Sequence, residues 1–287
     1  MRKRKISILD KAVILVTILM ASGCTSMIVK PLLDPVELSL QNQTDLELIK
    51  DGAPSLLLLL DGFIAKDPHN KNLLMAATKA YGAYAITLHE SNEVDRAITV
   101  SQKAKTYGMT LLSLLPHLEN IHAKKLTNVD QALDRISKDY AGYLFWGAYG
   151  WASWIRFQEG APGAMAELPF IEHLMLRVVE LDGSYYYGGA HIFLGAYYSS
   201  RPQMYGGKPQ LGREHFEQAL SISNRKFLLA QVTYAETYAR MVFDKKLYQD
   251  LLNEVLEQPL EHNEMASSNT LAQVMAQKLL DATDEYF

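Results

Sequence analysis

Residues 185–220 read YYYGGAHIFLGAYYSSRPQMYGGKPQLGREHFEQAL, and this stretch decides the fold. It places six tyrosines and two Gly-Gly pairs between segments that are rich in helix-forming residues. The small residues Gly195 and Gly212 stand three and four positions before the bulky residues Tyr198 and Phe216, which is the spacing of one helix face. The stretch therefore predicts two closely packed helices joined by a loop.

The predicted helix pair resembles a tetratricopeptide repeat, which carries Leu-Gly-x-x-Tyr in its first helix and Ala-x-x-x-Phe-x-x-Ala in its second. The chain matches these positions, with one glycine in place of alanine, through Leu194, Gly195, Tyr198, Gly212, Phe216 and Ala219. Elsewhere strong helix formers dominate, strand-like alternation is absent, and breakers separate segments of helical length. We therefore predict an all-α fold of antiparallel helix pairs stacked as a tetratricopeptide-like superhelix.

The connection between Tyr198 and Gly212 is longer than the repeat allows, and the extra residues fall in SSRPQMYGGKPQ. A loop inserted between repeat helices lies on one rim of such a fold, where partners often bind. A solvated loop without a partner is the alternative. We predict a partner-binding loop that presents Arg201, Tyr205 and Lys208.

The segment AGYLFWGAYGWASWIRF, residues 141–157, is the most apolar predicted helix. Its glycines are costly in a helix interior and indicate that neighbouring backbones pack closely against it. It is either an ordinary buried core helix or a helix that lines an apolar cavity, since its aromatic area exceeds what one core face requires. For the second case we predict a ligand-lining set of Tyr143, Trp146, Tyr149, Trp154, Tyr187, Phe193 and Tyr197.

The segment DGAPSLLLLLDGFIAKDP, residues 51–68, predicts a further helix that begins at Pro54 and ends at Asp67-Pro68. Its five consecutive leucines, residues 56–60, cover every face of a helical turn. We therefore expect this helix to be buried on all sides, and not to span a membrane because Asp61 ends the apolar run.

The N-terminus has the features of an export signal: the basic residues MRKRK precede the ten-residue apolar stretch AVILVTILMA. The following ASGC resembles a bacterial lipobox, although Ala21 stands where Leu is preferred, and a plain secretory signal is the alternative. We predict a signal peptide over residues 1–23, lipidation at Cys24, a tether over residues 24–45 and a helical repeat domain over residues 46–287. Thr25 after the cysteine favours the inner leaflet of the outer membrane, on the periplasmic side.

The charge of the mature chain is acidic. The whole chain carries a net charge of −4, and because residues 1–23 contribute +4, the remainder carries −8. Nucleic-acid binding depends on basic patches that neutralise phosphates, so this charge argues against a nucleic-acid partner.

No strong catalytic or metal-binding motif is present in the sequence. It has no H-E-x-x-H, no G-x-S-x-G, no P-loop and no paired CxxC, and His117 and His122 are five apart, a spacing that does not share one helix face. We therefore predict no enzymatic activity, no catalytic residues, no metal and no cofactor. An envelope enzyme that uses His191 and Arg201 with the tyrosines at 185–187 is the alternative.

Taken together, the ASGC signal, the leucine-rich helix, the segment at 185–220 and the paired helices resemble the TRAP transporter T-component lipoproteins over essentially the whole chain. The resemblance implies an all-α periplasmic protein without catalytic residues. Its partner would be the substrate-binding protein of a tripartite ATP-independent periplasmic transporter. The resemblance also implies assembly as a homotrimer and an apolar passage for hydrophobic organic acids or lipid-like ligands.

The sequence therefore predicts a lipid-anchored periplasmic scaffold that binds this substrate-binding protein and accommodates or conducts an apolar ligand. A tetratricopeptide-type adaptor for envelope assembly, without a transport role, is the alternative.

Overall fold

A computed structural model describes residues 34–260 and 264–287, except for the side chain of Tyr205. The predicted signal peptide, Cys24 and the tether as far as residue 33 lie outside these ranges. The chain divides into two compact units, Met1–Glu37 and Leu38–Phe287. In the first unit, the described residues 34–37 are helical.

The second unit is built from helices, and the described residues contain no β-strand, so the predicted all-α fold is confirmed. After a helical segment at residues 34–41, the helices in chain order are α1 (Leu46–Lys66), α2 (Lys71–Glu90), α3 (Val94–Ser113), α4 (Leu126–Leu133), α5 (Ala141–Arg156), α6 (Pro162–Met165), α7 (Leu168–Asp182), α8 (Tyr185–Ser199), α9 (Pro209–Ile222), α10 (Leu229–Tyr234), α11 (Lys245–Glu257), α12 (Ala266–Asp281) and α13 (Thr283–Tyr286). A π-helical turn, Ala235–Ala239, continues α10. None of these helices is both long and apolar enough to cross a membrane.

Helix α1 begins eight residues earlier than predicted, so its predicted start at Pro54 is wrong. The side chain of Asp45 accepts a hydrogen bond from the backbone N–H of Leu48 at 3.0 Å, which caps the helix there. Pro54 lies inside the helix. The end is as predicted: the helix stops at Lys66, just before Asp67-Pro68.

The prediction that the leucine run is buried on all sides is also wrong. Leu57 and Leu60 are buried, whereas Leu58 is 72% exposed and Leu59 is 46% exposed. Helix α1 packs against α2 and, less extensively, against α12, and within the described part of the chain these contacts leave Leu58 and Leu59 exposed.

Helices α2, α3 and α5 form the first packed group, and α3 lies against both of the others. A Cβ atom added to Gly108 of α3 would lie 2.7 Å from the carbonyl oxygen of Gly147 in α5. A Cβ atom added to Gly150 would lie 2.5 Å from the carbonyl oxygen of Ala104. The glycines of the aromatic helix therefore sit where two backbones meet, as the sequence predicts.

Helices α8 and α9 form the pair that the repeat pattern predicts, and α8 also packs against α7. A Cβ atom on Gly195 would lie 2.8 Å from the ring of Phe216, so the small residue on α8 makes room for the large one on α9. The loop between the two helices covers residues 200–208. The arrangement of all pairs as a tetratricopeptide-like superhelix remains a prediction.

The C-terminal helices enclose a second apolar core around Phe216, Tyr234 and Tyr248. Helix α12 also packs against α1, and the ammonium group of Lys278 lies 3.1 Å from the carboxylate of Glu90 at the end of α2. Within residues 38–287, the last long helix therefore returns to the first two.

Candidate functional site

The first part of the candidate site is a group of aromatic rings on α5. Trp146 is 4% exposed, and its ring meets those of Phe145 and Tyr149 edge to face, with centroids 5.0 and 5.1 Å away. Phe145 is also buried, whereas Tyr149 keeps part of its surface exposed. Edge-to-face rings at these distances attract one another beyond the burial of their area.

The start of α8 continues this group of rings. The ring of Tyr186 lies 4.6 Å from that of Trp146 and 5.8 Å from that of Phe227. Tyr187 stacks on Phe227 with centroids 4.9 Å apart. A connected aromatic cluster, consisting of Phe145, Trp146, Tyr149, Tyr185, Tyr186, Tyr187 and Phe227, therefore links α5, α8 and the segment after α9. Its tyrosines are all partly exposed.

The backbone at the start of α8 is left-handed over three successive residues. Tyr186, Tyr187 and Gly188 have φ angles of +47°, +58° and +77°. This conformation is costly for residues with a Cβ atom, about 1–3 kcal/mol each, and such residues occur most often at ligand-binding and active sites. At this kink both tyrosine rings contact Phe227, and the ring of Tyr186 also contacts Trp146.

Glycines on two helices make room for the rings of the cluster. A Cβ atom on Gly82 of α2 would lie 2.5 Å from the ring of Tyr149, and one on Gly189 of α8 would lie 2.6 Å from the ring of Phe145. The glycines and the aromatic residues thus occur together because rings pack directly on bare backbone at these positions.

Polar and charged groups border the cluster, and the hydroxyl of Tyr187 donates a hydrogen bond to the carboxylate of Glu264. The indole N–H of Trp146 donates a hydrogen bond to the hydroxyl of Tyr185 at 3.0 Å. The ammonium group of Lys79 lies 4.8 Å from the centroid of the Trp146 ring. Burial raises the pKa of Tyr149 to about 12, against a small opposing effect of Arg156. The surroundings of this hydroxyl therefore have a low polarity.

Two predicted lining residues of α5 lie elsewhere. The ring of Trp154 lies under the ammonium group of Lys105, 3.4 Å from it. The hydroxyl of Tyr143 donates a hydrogen bond to the side chain of Asn72 at 2.8 Å. Neither ring is in contact with the rings of the aromatic cluster in the described structure.

Phe193 and Tyr197 form a separate stacked pair on α8, with centroids 6.1 Å apart. Tyr197 also contacts Tyr198 at 5.3 Å and lies 5.3 Å from the guanidinium group of Arg201. This pair adjoins the loop at residues 200–208 and not the rings of α5. The structure thus brings together Trp146, Tyr149 and Tyr187 of the predicted lining set.

The loop at residues 200–208 is held by its own backbone. The N–H of Lys208 donates a hydrogen bond to the carbonyl oxygen of Tyr198 at 2.9 Å. The N–H of Gly207 donates a hydrogen bond to the carbonyl oxygen of Pro202 at 3.1 Å. Gly206 has a φ of +81°. Arg201 is partly buried and Lys208 is exposed, with its ammonium group 5.3 Å from the ring of Tyr198.

His191 packs against His215 of α9. Their Nδ1 atoms are 2.9 Å apart and hydrogen-bonded, and only 9% of the His191 surface is exposed. Burial, reinforced by the charge that His215 can carry, lowers the pKa of His191 to about 4. With a pKa of about 4 the His191 imidazole is neutral at pH 7 and is a weaker base than an exposed histidine. No three His, Cys, Asp or Glu side chains within residues 34–260 and 264–287 are grouped so that they could hold a metal ion.

A surface pocket of about 190 Å³ lies at a different place, between α3 and the turn Ile121–Ala123. It contains none of the predicted site residues, and its volume is below the range of about 300–1,000 Å³ that is usual for small-molecule sites. Its lining residues are Met109, Thr110, Ser113, Asn120, Ile121 and His122.

The predicted lining set lacked four members of the aromatic cluster, namely Phe145, Tyr185, Tyr186 and Phe227. Phe145 and Tyr186 are neighbours of residues that the pattern selected, and an i, i+1 neighbour is not expected on the same helix face. Tyr186 reaches the cluster only because of the left-handed kink. Phe227 follows α9 in a non-repetitive segment, where no periodicity indicates its position.

A family model described as TRAP transporter T-component matches residues 42–287, which is nearly the whole chain. No match was found among curated proteins.

Proposed function

The chain belongs to the TRAP transporter T-component family, and from this premise we propose that it binds the substrate-binding protein of a TRAP-type transporter and accommodates an apolar ligand at its aromatic cluster. We further propose that it is a periplasmic lipoprotein, anchored through Cys24 in the inner leaflet of the outer membrane.

The observation that carries the ligand proposal is the aromatic cluster itself. Its centre, Phe145 and Trp146, is buried, and partly exposed tyrosine rings surround that centre. Aromatic faces in surroundings of low polarity favour an alkyl or aryl group over water.

Positive charge beside these rings fits an apolar organic acid. The ammonium group of Lys79 lies 4.8 Å from the Trp146 ring, and the charge of Arg156 acts on the hydroxyl of Tyr149, so the surroundings of the rings favour a ligand that combines an apolar part with a carboxylate. Ligand pockets commonly combine an apolar lining with a small number of polar groups that fix orientation.

The loop at residues 200–208 supports the partner proposal. It brings the two cations Arg201 and Lys208 to adjacent tyrosines, in a mature chain whose net charge is −8. A local positive site favours an acidic surface on the partner and accelerates the encounter with it. We propose that this loop, with Tyr205, meets the substrate-binding protein.

The partner proposal is tested with the lipidated protein and the purified substrate-binding protein of a TRAP-type transporter from the same organism. We expect binding of the wild type, and about tenfold weaker binding of the double variant Arg201→Ala and Lys208→Ala, chiefly through slower association at low salt. Lys246→Ala, which removes an exposed cation on α11, should bind like the wild type. If the wild type does not bind the substrate-binding protein at all, the adaptor without a transport role replaces the proposal.

Native mass spectrometry of the detergent-extracted protein tests the remaining parts of the proposal together. The expected result is a homotrimer that carries at least one apolar molecule per protomer. A monomer without any bound molecule would contradict both the assembly and the ligand proposal.

A further inference from the structure

We propose that Arg156 binds the carboxylate of the apolar ligand, and that Glu236 on the π-helical turn holds Arg156 in place and excludes a second carboxylate at the same end of the ligand. This inference deepens the proposed function, because it rests on the ligand site at the aromatic cluster. It restricts the ligand to an apolar monocarboxylic acid.

Arg156 lies on the same face of α5 as Tyr149 of the aromatic cluster. The two residues are seven positions apart, so Arg156 stands two turns, or about 10 Å, further along the helix. Tyr149 is partly exposed and Arg156 is exposed. The positive charge of Arg156 opposes the rise that burial causes in the pKa of Tyr149, so the two groups interact across this face. One face of α5 therefore carries aromatic rings at one end and a guanidinium group at the other.

Three hydrogen-bond donors along this part of α5 have no acceptor among the described residues. The guanidinium group of Arg156 and the hydroxyl of Tyr149 form no hydrogen bond there. Between them lies Ser153, which is 7% exposed and whose buried hydroxyl has no partner either. Buried polar groups without a partner are uncommon in proteins. A bound carboxylate would supply acceptors to this stretch of the helix.

The ion pair between Arg156 and Glu236 is loose. The guanidinium group lies 3.8 Å from the carboxylate, beyond hydrogen-bond distance, and the two side chains are 39% and 30% exposed. Such a pair contributes little to stability. It leaves the N–H donors of Arg156 available, and a guanidinium group binds a carboxylate through two parallel hydrogen bonds. A ligand carboxylate can therefore form a stronger contact with Arg156 than Glu236 does.

The position of Glu236 depends on the π-helical turn Ala235–Ala239. Such turns are rare and occur frequently at functional sites. Ala235, Tyr238 and Ala239 of this turn are buried, whereas Glu236 is partly exposed and reaches Arg156. Helix α8 packs against both α5 and this turn, so the ion pair passes across α8. A carboxylate held there repels a second negative charge on the ligand.

Lys79 is the other cation beside the rings, and its position suits the carboxylate less well. Its ammonium group lies over the ring of Trp146, 4.8 Å from the centroid, where a bound carboxylate would adjoin the ring that the apolar part must contact. Arg156 stands two turns beyond Tyr149 and leaves the rings to the alkyl or aryl group. The acid must then be long enough to span about 10 Å.

The test measures quenching of Trp146 fluorescence in the full-length chain by dibrominated stearic acid, at a pH where the acid is ionised. Dibrominated stearyl alcohol, which has the same chain without the charge, is measured in parallel. In Arg156→Gln we expect about tenfold weaker binding of the acid, because its charge-assisted hydrogen bonds are lost. Binding of the alcohol should not change, which also shows that the variant is folded.

Two further variants locate the effect. Lys79→Gln should bind the acid like the wild type. Glu236→Gln is compared with the wild type by competition between the brominated acid and an alkylmalonic acid, which carries two carboxylates at one end. The wild type should bind the alkylmalonic acid at least about threefold more weakly than a fatty acid with the same chain, and Glu236→Gln should remove this difference.

Unchanged binding of the acid in Arg156→Gln overturns the inference, and its loss in Lys79→Gln instead assigns the carboxylate to Lys79. If Glu236→Gln keeps the discrimination against the alkylmalonic acid, the role of Glu236 is overturned. The proposed ligand site fails separately. Absence of quenching of the wild type by both acid and alcohol removes the site and this inference together, whereas quenching that Arg156→Gln leaves unchanged for both probes keeps the site and overturns only the role of Arg156.

Discussion

At the scale of single residues, glycine decides where the helices of this protein can meet. Gly108, Gly147 and Gly150 lie where the backbones of α3 and α5 approach each other, and Gly195 accommodates the ring of Phe216. Interiors as dense as those of proteins leave no space for an additional methyl group at such points.

We predict opposite effects for two glycine-to-alanine substitutions in helices. Gly150→Ala should lower the free energy of unfolding by about 1–3 kcal/mol, because the new methyl group meets the carbonyl oxygen of Ala104. Gly62→Ala should raise it by up to about 1 kcal/mol, since its side chain meets nothing and alanine favours the helix. Urea unfolding measures both changes in the free energy of unfolding, and an unchanged m value shows that only stability has changed. Equal effects of the two variants would contradict the close approach of α3 and α5.

The paired histidines predict a dependence of stability on pH. The pKa of His191 is about 4 in the folded protein, below its ordinary value of 6.5, so the unfolded chain binds more protons between these values. The stability that the neutral His191 contributes is fully present above pH 6.5 and is lost as the pH falls towards 4. After allowance for solvent screening, we expect the free energy of unfolding to fall by about 1–2 kcal/mol over this range.

The control for this effect is His191→Asn, which keeps a polar group near Nδ1 but does not titrate. Unfolding free energies of both proteins between pH 4 and 7 isolate the histidine from the carboxylates. The wild type should lose more stability on acidification than the variant. Identical slopes would show that His191 is protonated as easily in the folded protein as in the unfolded chain.

The structural role of a residue could be predicted best from the sequence where that residue has one steric role. The glycines of α5 and the pair of Gly195 with Phe216 could be predicted, because small and large residues recur at helical spacing. Phe227 could not, because its place in the aromatic cluster depends on the path of a segment without repeats. Trp154 follows Trp146 by eight residues, about 12 Å further along α5, so the spacing of the tryptophans already separates them. The ring of Trp154 lies under the ammonium group of Lys105 instead.

At the scale of elements, the kinked start of α8 is the feature that shapes the candidate site. Its three left-handed residues turn Tyr186 and Tyr187 towards α5 and Phe227. The two adjacent glycines at 188 and 189 indicate a tight turn in the sequence. The left-handed conformation of the two tyrosines has no sequence signal, because residues with a Cβ atom rarely adopt it.

We predict that Gly188→Ala destabilises the protein more than Gly206→Ala. Both glycines have positive φ angles, +77° and +81°, so both substitutions strain the backbone. Only at position 188 would the methyl group also press on α9, 3.2 Å from Ile222 and 3.3 Å from Ala219. We expect a loss of about 2–3 kcal/mol at position 188 and about 1 kcal/mol at position 206. Thermal unfolding measures the difference in stability. Equal losses of stability in the two variants would mean that α9 shifts to accommodate the methyl group.

The limits of helix α1 show why element boundaries are harder to predict than elements. Its C-terminus follows from Asp67-Pro68, whereas its N-terminus depends on the cap at Asp45, and Pro54 is accommodated inside the helix. The burial of its leucine run was overestimated, because an apolar sequence does not specify which faces of a helix the rest of the protein covers.

At the scale of the whole molecule, the fold class and the family follow from patterns that extend over most of the chain. A prediction from helical periodicity and from repeat-like pairs rests on many positions. It therefore remains correct even when individual residues are placed wrongly. The ligand and partner surfaces depend on which rings and cations the packing brings together. Helix packing joins Trp146, Tyr149 and Tyr187 in one cluster and places Phe193 and Tyr197 beside the loop.

The most direct test of the central claim is the quenching of tryptophan fluorescence by a brominated fatty acid. We predict saturable quenching of the wild type, its loss in Trp146→Phe, and its retention in Trp154→Phe, because only Trp146 belongs to the aromatic cluster. Quenching that persists in Trp146→Phe, or none in the wild type, would contradict an apolar ligand site at this cluster.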